Sequence, residues 1–138
     1  MKRTEWTYGA AHRAYFEQPD ILHFKFSGPT TSDDAKRTVE ICREVGSAQP
    51  FFLVIDAADS TIDAASRSYI VQNLKPEWFR GIIYTGLGFV QRAMAKALAV
   101  ALFFTKWNVG IDFVATEQEA RAIIQRKRGG SGNGTKAA

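Results

Sequence analysis

Phe51-Phe52-Leu53-Val54-Ile55-Asp56-Ala57-Ala58-Asp59-Ser60-Thr61-Ile62-Asp63-Ala64-Ala65-Ser66 opens with five apolar residues and an acid, passes through a polar turn to a second acid, and runs on into a helix-like segment. A short, continuously apolar run bounded by turn signals reads as a strand buried on both faces. Such strands occupy the middle of parallel sheets, with helices above and below. Asp56 and Asp63 then fall at the carboxyl end of the strand, where open α/β sheets place their sites.

Working outward, the first 30 residues read as a β-hairpin with arms His12–Gln18 and Ile21–Ser27 about a Pro19-Asp20 turn. Leu22, Phe24 and Phe26 alternate with His23 and Lys25, the period of a half-buried strand, which places His23 on the more exposed side. Gly28-Pro29 is read as the strand's end. Thr31 stands three residues before Asp34, an acidic capping box, and opens a helix to about Val45 with Gly46 as its stop. A second helix starts near Asp63 and closes at Pro76. Gly81–Thr85 is the next strand, and Gly86-Leu87-Gly88 turns into a long helix from Phe89 to Trp107. Ile111–Val114 is the last strand, and Thr116-Glu117-Gln118-Glu119 caps a final helix to about Lys127. The order β-β-α-β-α-β-α-β-α implies a mostly parallel sheet of about five strands with an N-terminal antiparallel hairpin, flanked by four helices.

At 138 residues the chain is one domain, expected over 1–128, with a flexible Gly/Ser-rich tail at 129–138. The apolar fraction of 46% and charged fraction of 23% are those of a folded globular protein. The single cysteine excludes a disulfide framework and a cysteine-based zinc site, and a cytoplasmic location is expected. The net charge of +4 is concentrated near the ends, a weaker pointer to nucleic acid than a basic stripe across a folded face, and no nucleic-acid partner is expected. Met1-Lys2-Arg3 leads into polar sequence rather than a signal peptide. The longest apolar run, Ala97–Phe104, is far short of the roughly 20 residues that cross a bilayer, so no transmembrane segment is expected.

The element order, and Leu53-Val54-Ile55-Asp56 followed by Ile62-Asp63, resembles the STAS domains, the anti-sigma-factor antagonists of the SpoIIAA type and their relatives. In that family an apolar strand ends in Asp, and a second Ile/Asp pair opens the helix that faces partners. The nearer resemblance is to the SpoIIAA-like group of small bacterial proteins, which shares a superfamily with the CRAL-TRIO lipid-transfer domains; it covers about residues 12 to 126. The signalling antagonists carry Ser-Ser-Gly or Ser-Thr-Gly after the second Asp, and a kinase phosphorylates one of those hydroxyls. Here Ala64, Ala65 and Ser66 stand at the matching positions, so the resemblance implies a domain without the phosphorylation switch.

The candidate binding residues are Asp56, Asp59, Asp63, Ser66, Gly86 and Gly88. Asp56 and Asp63 read either as an acid/base pair or half a metal site, or as a strand terminus and a helix cap that accept backbone bonds. Gly86-x-Gly88 reads as a tight turn or as part of a phosphate loop; the following expected glycine is Gln91. His12, His23 and Cys42 belong to no nucleophile signature, and Cys42 reads as a small buried hydrophobe. No metal site, cofactor or catalytic set is expected. The long helix is apolar nearly all round, and Leu98, Leu102, Phe103 and Trp107 spread wider than the stripe a sheet hides. They imply a homodimer contact or a lid over an apolar cavity, the dimer being preferred because apolar patches most often mark protein interfaces. The expected function is therefore a non-enzymatic STAS-like binding or regulatory domain with a protein partner or an apolar, lipid- or acyl-type ligand. The alternative is a small enzyme or nucleotide-binding protein using Asp56, Asp63 and the Gly86-x-Gly88 turn.

Overall fold

A computed structural model of the chain describes residues 4–86, 93, 96 and 109–133, the last four by backbone alone. Six strands form one mixed sheet in sequential order: β1 (Glu5–Tyr8), β2 (His12–Glu17), β3 (Ile21–Thr30), β4 (Phe51–Ile62), β5 (Phe79–Thr85) and β6 (Ile111–Val114). β1, β2 and β3 are antiparallel, and β3 to β6 are parallel. Helix α1 (Ser32–Ala48) joins β3 to β4, α2 (Ala64–Asn73) and a 3-10 turn (Pro76–Trp78) join β4 to β5, and α3 (Glu117–Asn133) follows β6. The expected α/β class, the interior position of β4 and its parallel pairing with β5 are all observed.

β4 is apolar throughout its first half because both of its faces are covered. Phe51, Leu53 and Ile55 join Val39, Ile41 and Cys42 of α1 in one core. Phe52 and Val54 join Ala120, Ile123 and Ile124 of α3 in a second. The first core extends across five strands as a register row of Trp6, Ala14, Phe24, Ile55 and Tyr84, all buried. The row beside it, Tyr15, His23, Val54 and Ile83, faces α3.

The structure departs from the sequence expectations at several points. Glu5–Tyr8 adds a sixth strand, seated by the buried Trp6, and turns the hairpin into a three-stranded meander. Among the described residues there are three helices; the expected Phe89–Trp107 helix lies outside them, apart from Ala93 and Lys96, which are helical. β3 does not stop at Gly28-Pro29 but continues to Thr30, paired with Asp59–Ile62 of β4 after a register shift between Lys25 and Ser27. What reads as a polar turn after Asp56 is therefore the outer half of a two-stranded ribbon. His23 is buried rather than exposed, because α3 closes over its face. The final helix runs past Lys127 to Asn133; glycine weakens a helix by about 1 kcal/mol per residue without forbidding it. Gly46 lies within α1, which ends at Ala48. A Cβ at position 46 would stand 2.5 Å from Cγ of Trp78, so this glycine lets the indole lie against the helix.

Both expected capping boxes form. Thr31 Oγ1 accepts the Asp34 N–H at 3.2 Å while Asp34 Oδ2 accepts that of Thr31 at 3.0 Å. Thr116 and Glu119 exchange the same bonds, each at 3.1 Å. α3 is further tied to the meander by Arg121, whose guanidinium donates to both oxygens of Glu17 at 2.9 and 2.7 Å. Those bonds, with a lesser one from His23, hold the Glu17 carboxyl down at about 2.

Two expectations follow. Gly46→Ala gains helix propensity but collides with Trp78, and urea titration should show a net loss of about 1–3 kcal/mol; a stabilised variant would refute the close approach. Glu17 has a folded pKa below its unfolded value of roughly 4.3, so its contribution is complete above that value and is lost as pH falls toward about 2. Glu17→Gln should therefore flatten the acid decline of the melting temperature between about pH 5 and pH 2, roughly the window those two pKa values bracket.

Candidate functional site

The candidate acids lie along β4 and at its end. Asp56 is in register with Lys25 on one side and Thr85 on the other. Its Oδ2 accepts a bond from Lys25 Nζ at 3.3 Å, and its Oδ1 accepts the Ala58 N–H at 3.2 Å. Asp59 is exposed, opposite Ser27. Asp63 is the N-cap of α2, where its Oδ1 accepts the Ser66 N–H at 2.7 Å. That backbone bond holds the exposed carboxyl below the usual range. Ser66 itself is fully buried.

Asp56 and Asp63 are separated by seven residues of largely extended chain with one bulge, at most roughly 23 Å at 3.3 Å per residue. That separation prevents them from sharing a proton or an ion. Gly86 is brought to Asp56 instead: a Cβ on Gly86 would lie 3.9 Å from Asp56 Oδ1. Gly86 turns the chain at φ 66°, and its N–H donates to the Val114 carbonyl at 3.2 Å. Gly88, Leu98, Leu102, Phe103 and Trp107 lie outside the described residues. Among the described residues no group of three His, Cys, Asp or Glu side chains is arranged to hold a metal.

Two polar clusters were not singled out from the sequence. His12 is fully buried, with Nδ1 accepting the Ser27 N–H at 3.1 Å and Nε2 3.4 Å from Asp34 Oδ2. The backbone bond fixes the proton on Nε2, so the ring donates toward Asp34 and the Pro29 carbonyl, 3.2 Å away. Tyr8 Oη, 2.6 Å from Thr38 Oγ1, completes the link between the meander and the start of α1, and burial pushes the phenol up. These bonds are internal and leave no ring nitrogen for a substrate. Asp20, buried at the β2–β3 turn, pairs with Arg80 at 2.6 Å and with Arg128, and both guanidinium groups lie over the Phe52 ring. Cys42 is buried, and desolvation raises its thiol out of the reactive range.

Between the β1–β2 turn and the part of β3 at the register shift lies a concavity of about 580 Å³, with Thr7, Arg13, Lys25 and Ser27 in its wall. Its signal in the sequence is indirect: the register set about the Pro19-Asp20 turn places Arg13 opposite Lys25.

No protein-family model matches the sequence, and no curated protein matches it significantly. Among solved structures, an uncharacterised protein from the DUF3478 family with a SpoIIAA-like fold, from Shewanella loihica PV-4, superposes with a TM-score of 0.61. It is 19% identical over 81% of this chain and 90% of its own. The sequential mixed sheet and this likeness together show that the chain has the SpoIIAA-like fold.

Proposed function

We propose that the chain is a non-enzymatic STAS-like binding domain that acts through a protein partner or an apolar, acyl-type ligand. The observation that carries the reading is how the acids are used. Asp63 caps α2, and Asp56 accepts Ala58 and pairs with Lys25. Neither converges with a second acid, as proton transfer or metal binding would need. α2 also supports the reading. Ser66 is its sole fully buried residue, while Tyr69, Ile70, Val71 and the following Leu74 are only half-buried. These side chains pack against the core yet keep part of their apolar surface open, a patch that suits a partner.

The domain would work without a phosphorylation switch. Ala64 and Ala65 are exposed but carry no hydroxyl, and the Ser66 hydroxyl is buried against the helix start. Intact-mass measurement of protein from its native host should show no phosphate on α2; stoichiometric phosphate on Ser66 would overturn this.

The second contact of the proposal is the 89–107 segment, whose Leu98, Leu102, Phe103 and Trp107 would form a homodimer contact or, failing that, cover an acyl ligand. Native mass spectrometry of the full chain and of Phe103→Glu tests it. A dimer that becomes monomeric in the variant supports the interface, and loss of a retained lipid mass supports the ligand. A wild-type monomer with no retained mass sinks both.

A further inference from the structure

One register row of the sheet is polar from β1 through β5 and ends on Val114 of β6. Thr7 on β1 pairs with Arg13 on β2, Arg13 with Lys25 on β3, Lys25 with Asp56 on β4, and Asp56 with Thr85 on β5. Residues paired in register share a face of the sheet. Thr7, Arg13 and Lys25 are exposed, so this face is open at the meander end of the row.

Within the row two cations stand directly opposite one another. Like charges at such positions destabilise a sheet. Asp56 offsets Lys25, at 3.3 Å, but among the described residues no carboxylate comes within ion-pair distance of Arg13. The charge sum of Arg13, Lys25 and Asp56 is +1. The surplus lies beside the concavity of about 580 Å³ whose wall contains both basic residues, Thr7, Ser27 and the small residues of the β1–β2 turn.

We propose that this concavity binds a small ligand through an oxyanion, a phosphate or carboxylate group, held by Arg13 and Lys25 with Thr7 beside them. A guanidinium presents a planar pair of donors that matches two oxygens of such a group, and the ammonium supplies a second positive charge. The bound anion also removes the repulsion between the two cations, so binding and local stability are coupled. The volume lies within the range of small-molecule sites, roughly 300–1,000 Å³, and leaves room for an organic part beyond the anion. The site uses neither α2 nor the 89–107 segment and stands independently of the function proposed above.

The test is titration of the full chain with inorganic phosphate and with succinate at low ionic strength, read from amide shifts by NMR. Saturable shifts at Gly9–Arg13 and Lys25–Ser27 are expected, with about tenfold weaker binding in Arg13→Gln and no change in Arg37→Gln, which removes a charge from α1 instead. Phosphate should raise the melting temperature of the wild type and not that of Arg13→Gln, which in anion-free buffer should melt higher than the wild type. Vesicles containing phosphatidylglycerol separate the sources. Sedimentation with them that Arg13→Gln abolishes assigns the oxyanion to a lipid headgroup, and phosphate binding without sedimentation assigns it to a soluble ligand. Absence of saturable shifts with either anion, equal weakening by Arg37→Gln, or a lower anion-free melting temperature for Arg13→Gln overturns the proposal.

Discussion

Burial of Phe51–Ile55 on two sides is the constraint from which the rest of the molecule follows. Alternate side chains of β4 enter separate cores, one closed by α1 and the other by α3. Each large apolar side chain so covered is worth roughly 1.5–3 kcal/mol, so neither face can be left to solvent. A strand in that position needs partners on both edges, and β3 and β5 supply them in parallel. Parallel neighbours in turn require the crossovers that α1 and α2 provide.

Polar contacts then fix where the covering helices sit. Among its described side chains α3 buries a narrow stripe, Ala120, Ile123 and Ile124, and its position is specified by Arg121 on Glu17 and Arg128 on Asp20. Arg128 and Arg80 share one buried carboxylate and one aromatic ring, so charge and packing set the same placement. On the other face, His12, Asp34, Tyr8 and Thr38 join the meander to the first turn of α1. Every ring nitrogen and hydroxyl in that cluster has a partner, which is the condition for burying such groups without a large loss.

The apolar strands and the capping boxes were legible because each is a local pattern: Phe51–Ile55, Ile111–Val114, Thr31 with Asp34, and Thr116 with Glu119. Cys42 and the Asp63 cap followed for the same reason. Gly46 misled, since a helix-stopping residue and a residue that admits an indole look alike until Trp78 is placed against it. Gly28-Pro29 misled likewise, because only pairing with Ser60 and Thr61 carries β3 onward. Of the candidate site, Asp56 was paired in the sequence with Asp63 by reading an extended strand as a turn, whereas the fold brings Gly86 to Asp56 instead. The Arg13–Lys25 opposition depends on register across a turn, which residue type alone does not display.

The ribbon formed by the outer halves of β3 and β4 ends with Thr30 beside Ile62. One residue later on each strand stands an N-cap, Thr31 for α1 and Asp63 for α2. The two helices therefore start side by side, with the positive ends of their backbone dipoles adjacent. Such an arrangement repels itself unless negative charge is supplied, and Asp33, Asp34 and Asp63 supply it at those first turns. The helix starts are also mechanically linked: a change in the twist of the ribbon would reorient both helices together, as one unit hinged on the sheet.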